Sequence, residues 1–200
     1  MRTLVSFLCF SLAVSATLAE KPTEDPVRDA VKTPNVLVLG DSLSAGYGVK
    51  RAEAYPALLS EKAARSDQPL HIINAGISGD TSAGGLHRLP SLLEHRVDVL
   101  ILELGINDIF RGVPVVQIAT NLQKIIDLTR ARYPQARIVI VGMQLPQTTV
   151  NDDLTSFGEM YGKLAGHNSA ELLPFLLAGV AGNPELNQRD MIHPNAAGQK

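Results

Sequence analysis

Cysteine is almost missing from this chain. Its 200 residues include one, Cys9, inside an apolar N-terminal stretch. If that stretch is removed on export, the mature chain has no cysteine, which excludes disulfides, a thiol nucleophile and cysteine-held metal. Clustered positive charge is missing too: the formal net charge is −2, with basic and acidic residues scattered together. Without a basic stripe to follow a phosphate backbone, a nucleic-acid partner is not expected. No His, Asp and Glu cluster has metal-ligand spacing, so a metal site is not expected either. The G-x-S-x-G elbow of the common serine hydrolases occurs nowhere.

The N-terminus reads as a targeting segment. Arg2 supplies a positive start, Leu4–Leu18 is apolar but too short and too soon followed by charge to span a bilayer, and Ala16 and Ala19 are small. Residues 1–19 are therefore predicted to be a signal peptide, and the mature protein periplasmic or secreted, with no integral membrane span. Residues 20–34 carry Pro22, Pro26 and Pro34 among charges and read as a flexible linker. The remainder, 35–200, fits one domain.

Within that domain, strand-like apolar runs at Val36–Leu39, Leu70–Asn74, Val97–Leu104 and Arg137–Met143, with a weaker one at Glu171–Phe175, alternate with amphipathic stretches. The stretches run at about Ala54–Arg65, Ser82–His95, Val115–Tyr133 and Leu154–Gly166. In the third, Val116, Ile118, Ala119, Leu122, Ile125, Ile126 and Thr129 fall largely on one helical face. Near-continuous apolar strands separated by helices imply a sheet covered on both faces. The fold class is α/β: a three-layer α/β/α sandwich around a central, mainly parallel five-stranded sheet.

Ligands in such folds bind beyond the carboxyl ends of the strands. Asp41 and Ser42 follow the first run, Asn74, Gly76, Ser78, Gly79 and Asp80 the second, and Gly105, Asn107 and Asp108 the third. A serine attacks only when a base takes its proton and a carboxylate orients that base. Of the five histidines, His71, His87, His95 and His167 read as structural or solvated, with His167 in a loop. His193 lies three residues after Asp190, a spacing that lets the carboxylate reach Nδ1 while Nε2 points outward; the same residues also suit a turn in which Pro194-Asn195 begins a helix. The backbone N–H groups of Ser42 and Gly79 and the amide of Asn107 suit an oxyanion hole. Taken singly, Gly79-Asp80 also fits a helix start capped by Asp80, and Asn107-Asp108 an ordinary turn.

The stretches GDSLSAGYG (Gly40–Gly48), NAGISGDTSAGGLHRL (Asn74–Leu89), ELGINDIFRG (Glu103–Gly112) and DMIHPNAAGQ (Asp190–Gln199) resemble, in order and spacing, the four blocks of the SGNH hydrolases, also called GDSL esterases/lipases. The nearest resemblance is to the arylesterase-like branch with the periplasmic acyl-CoA thioesterases/lysophospholipases. The resemblance implies a flavodoxin-like fold and a serine esterase that cleaves esters and thioesters of acyl chains through an acyl-serine, without metal or organic cofactor. It assigns Ser42 as nucleophile, His193 as base, Asp190 as its orienting carboxylate, and Ser42, Gly79 and Asn107 as oxyanion donors. Asp41, Ile106, Asp108, Leu145 and Pro146 are the expected substrate-binding residues, and a monomer acting on a small-molecule or lipid acyl ester is expected.

Three departures from that branch stand out. Ile106 replaces its usual Gly, and residues 146–152 lack its proline- and tyrosine-containing loop. The chain also runs only seven residues past His193, so a C-terminal helix lacking its end, and a loosely held His193, are expected. A carbohydrate O-acetylesterase and a binding domain that has lost turnover are the alternatives; Ile109, Phe110 and Leu145 favour acyl chains.

Overall fold

The apolar runs pair as a sheet in which every neighbouring strand is parallel. The computed structural model describes residues 33–145 and 152–200. Strands β1 (Asn35–Gly40), β2 (His71–Asn74), β3 (Val99–Glu103), β4 (Arg137–Val141) and β5 (Glu171–Leu173) lie in the order β2-β1-β3-β4-β5. The register aligns Leu37 with Leu100 and Ile138 in one row, and Leu39 with Leu102 and Ile140 in the next. All six side chains are buried in one core cluster. Removing each from water contributes about 1.5–3 kcal/mol, and three adjacent strands supply the rows.

Among the described residues, six α-helices connect and cover the sheet: α1 (Ser42–Ala45), α2 (Tyr55–Ala64), α3 (Ser82–Leu92), α4 (Ile106–Phe110), α5 (Val115–Arg132) and α6 (Asp152–Asn168). The four longer ones match the predicted amphipathic stretches, while α1 and α4, a turn or so each, are too short for any periodicity to show. Helices α3, α5 and α6 pack side by side, and α2 packs near β2. On α5 the buried residues are Ile118, Asn121, Leu122, Ile125, Ile126 and Thr129. Val116, expected on this face, is 74 % exposed; two positions before Ile118 it lies about 200° away around the helix. His167 belongs to the last turn of α6 rather than to a loop.

After β5 the chain runs through turns. Asn187 and Pro194 form an antiparallel bridge, and no helix follows Pro194 among the described residues. Instead Asn195 Oδ1 accepts from the N–H groups of Ala197 and Gly198, and Gln199 Oε1 accepts from Tyr55 N–H at 2.9 Å. This last bond ties the end of the chain to the start of α2.

Candidate active site

β1 lies between β2 and β3, so the loops after β2 and β3 flank the loop after β1. At the end of β1, Asp41 caps α1: its Oδ1 accepts from Leu43 N–H at 3.0 Å. Ser42 is thus the first helical residue, where backbone amides have no intrahelical acceptor. On one side, the chain leaving β2 continues along β1 through bonds from Ala75 N–H to Val38 and from Ile77 N–H to Gly40. It then turns at Gly79, whose φ of 78° favours glycine. The cap of α3 is Thr81, whose side chain accepts from Gly84 N–H, so Asp80 is free for another role. On the other side, two residues past β3 the chain turns at Gly105, with φ of 123°. A Cβ there would stand 2.6 Å from the hydroxyl of Tyr161, which donates to the Leu104 carbonyl. The sharp turn starts α4 and brings in Asn107.

The C-terminal loop supplies the imidazole. His193 Nε2 lies 2.9 Å from Ser42 Oγ, and Nδ1 lies 2.7 Å from Asp190 Oδ2. Asp190 Oδ1 accepts from the N–H groups of Ile192 and His193, both at 3.0 Å. These bonds close the turn around Met191, whose φ of 58° costs a side-chain-bearing residue about 1–2 kcal/mol. The His193 N–H bond first, then those from Ile192 and the imidazole, hold the Asp190 carboxyl down at about 2. Asp190 is therefore an ionised partner for Nδ1–H at neutral pH. Tyr47 lies against the imidazole, ring centroids 4.6 Å apart.

The expected looseness of His193 is not what the structure shows. Gln188 N–H donates to the His193 carbonyl, and Gln188 Nε2 donates to the carbonyls of both Tyr47 and Pro194. One side-chain amide thereby fastens the loop of Ser42 to the loop of His193.

Several expected substrate contacts are structural instead. Asp41 is fully buried, and its Oδ2 accepts from Asn107 Nδ2 at 3.0 Å, so it orients that amide rather than meeting a ligand. Burial pushes its carboxyl up to about 6. Asp108 is also buried: its two oxygens accept from Ser82 N–H and Ser82 Oγ, which fastens α4 to the start of α3. Ile106 belongs to the core, and Leu145 is half-buried at its edge. Pro146 lies outside the described residues.

Two residues that sequence reasoning passed over also shape the site. Glu103 ends β3 fully buried; its Oε2 accepts from Asp41 N–H and Ser44 Oγ, while Oε1 has no partner among the described residues. Burial, with the Asp41 carboxylate beside it, raises its carboxyl well above the usual range. The signal was a lone acid closing the apolar run Val-Leu-Ile-Leu-Glu. Arg88, on α3, reaches Gly40 and Asp80 and left no such signal.

Residues 38–200 match the model of the GDSL-like Lipase/Acylhydrolase family. The chain is 38% identical over 197 residues to the arylesterase of Vibrio mimicus, covering 98% of this chain and 90% of that one. It is 38% identical over 171 residues to the thioesterase 1/protease 1/lysophospholipase L1 of Escherichia coli K12, covering 85% and 80%. The crystal structure of TesA superposes with a TM-score of 0.78 at 39% identity, covering 82% of this chain and 91% of that one.

Proposed function

The chain belongs to the GDSL-like lipase/acylhydrolase family and is an ester-hydrolysing enzyme; on that premise we propose that Ser42, His193 and Asp190 are its catalytic triad, acting on esters and thioesters of acyl chains. The observation that carries this reading is the continuous hydrogen-bonded chain from Ser42 Oγ through the imidazole to Asp190. With Nδ1–H donated to the carboxylate, Nε2 is left unprotonated to take the serine proton. Ser42 Oγ then attacks the acyl carbon and forms the C–O bond of a tetrahedral intermediate. The developing oxyanion accepts hydrogen bonds from Ser42 N–H, Gly79 N–H and Asn107 Nδ2. Among the described residues the Gly79 N–H has no protein acceptor, which leaves it available for that role.

Collapse expels the alcohol or thiol, which takes the proton from Nε2, and leaves an acyl-serine. Water, deprotonated by the same imidazole, releases the acid and restores Ser42. No step calls for a metal. An acyl chain is further favoured by a groove lined by Ile109, Val113, Val115, Ala119, Leu154 and Met160. Farther along α5 and α6 the same groove is lined by Gln123, Lys124, Asp127, Lys163 and His167. Thioester and lysophospholipid substrates are proposed from the relatives' names, and the enzyme is proposed to work as a monomer.

We also propose that residues 1–19 are an export signal and 20–34 a linker, which makes the enzyme periplasmic or secreted; the mass of the mature N-terminus from a cell-envelope preparation tests this. For the activity, fluorophosphonate labelling and hydrolysis of p-nitrophenyl acyl esters should both be present in the wild type and lost in Ser42→Ala. Equal turnover by the two proteins would refute the assignment.

A further inference from the structure

Arg88 lies on α3, yet its guanidinium touches the two segments that carry backbone N–H donors of the proposed oxyanion hole. Its Nε donates to Asp80 Oδ2 at 2.8 Å and its Nη2 donates to the Gly40 carbonyl at 3.2 Å. Gly40 stands two positions before Ser42, and Asp80 directly follows Gly79. Both charged side chains are largely withdrawn from water, 18 % and 11 % exposed, so solvent and salt screen the pair far less than a surface bridge. The Gly40 carbonyl also accepts from Ile77 N–H, and Asp80 N–H donates to the Ile77 carbonyl. The turn Ile77–Asp80 is thus joined to the end of β1 by its own backbone at one end and by Arg88 at the other.

We propose that Arg88 is a positioning residue for ester hydrolysis: by bridging the Gly40 carbonyl and the Asp80 carboxylate, it sets the separation of the Ser42 and Gly79 N–H groups. The proposal rests on reading those groups as oxyanion donors. Such donors act only when they meet the charged oxygen at 2.7–3.1 Å, and that oxygen exists fully only in the tetrahedral state. A planar guanidinium with a fixed fork holds two acceptors at a set spacing, which a single flexible ammonium does not. Loosening the bridge therefore weakens transition-state binding and leaves ground-state ester binding nearly unchanged.

The test compares wild type with Arg88→Ala, Arg88→Lys and Asp80→Asn. Each is assayed on a short-chain p-nitrophenyl ester, with active sites counted by stoichiometric fluorophosphonate labelling, and its affinity for a reversible alkylboronic acid is measured. Asp80→Asn and Arg88→Lys keep most of the side-chain volume, so the comparison survives if Arg88→Ala does not fold. The expected result is a kcat per counted site reduced about 10- to 100-fold, KM within about threefold, and boronate affinity reduced with kcat. Arg88→Lys should remain impaired. A lower melting temperature with unchanged kcat per counted site, or full recovery by Arg88→Lys, would overturn the proposal. Asn107→Ala separates the two layers. If it lowers kcat while the Arg88 variants do not, the Arg88 inference fails alone; if neither lowers kcat, the oxyanion reading falls with it.

Discussion

His193 Nε2 stands 2.9 Å from Ser42 Oγ, although 151 positions separate the two residues. No short-range contact produces that approach by itself. It depends on Asp190 closing its own turn onto the imidazole, and on Gln188 holding the carbonyls of Tyr47 and Pro194 at once. The contact is therefore a property of two loops clamped together.

Breaking the relay should abolish turnover without unfolding the domain. Ser42→Ala and His193→Ala are expected to lower kcat on acyl esters by about 10⁴-fold or more. Asp190→Asn, which turns an acceptor of Nδ1–H into an amide that favours the wrong tautomer, should cost about 10⁴-fold. Circular dichroism and stopped-flow ester assays check both halves of the statement.

Asp41 and Asn107 should behave as one unit. Removing the Asn107 amide is expected to lower kcat about 10²- to 10³-fold. Asp41→Asn offers one acceptor oxygen where two N–H groups, from Leu43 and Asn107, now donate. It should lose a comparable factor, and the double variant should lose little more than either single one. Fully additive losses would show that Asp41 acts on something other than Asn107.

Two carboxylates should move stability with pH in opposite directions. Asp190, lowered from 3.8 to about 2, keeps its charge in the folded state while the unfolded chain takes up a proton. Its contribution is complete above about pH 4 and is lost as the pH falls toward about 2. Asp41, raised from 3.8 to about 6 by burial, holds a proton more tightly when folded, so its contribution is complete below about pH 4 and is lost as the pH rises through about 6. Melting temperatures across this range should show a shallower acid loss for Asp190→Asn and a shallower decline from about pH 4 to 6 for Asp41→Asn. Profiles parallel to wild type in both variants would contradict this account.

Gly40→Ala should crowd the buried acid beside the proposed nucleophile. Its Cβ would come to 2.5 Å from Glu103 Oε2 and closer still to Ser44 Oγ, two groups already bonded to each other in a fully packed place. Overpacking of this kind costs about 1–3 kcal/mol, and relief by shifting α1 would carry Ser42 with it. A lower melting temperature together with a reduced rate of fluorophosphonate labelling is the expected pair of readings.

The sheet and the four longer helices were legible because burial writes itself into apolar runs and helical spacing. The placing of Ser42, Gly79 and Asn107 was legible for a related reason: parallel strands send their following loops to one edge. Asp41 and Asp108 misled because a polar residue after a strand looks exposed until its partner is known, and Asn107 and Ser82 arrive from other strands. Arg88 was passed over for a related reason, since its acceptor at Gly40 is 48 positions distant. Val116 was assigned inward because an apolar residue in the first turn of a helix satisfies a hydrophobicity count without satisfying the angle.

Tyr47 gives the molecule an optical property. The chain has no tryptophan and four tyrosines, so its ultraviolet emission comes from phenols alone. One of them lies face-near to the imidazole of His193, 4.6 Å between centroids, while Tyr161 is sealed in the core. The difference in emission between wild type and Tyr47→Phe therefore isolates the phenol nearest the proposed base, with no substrate and no label.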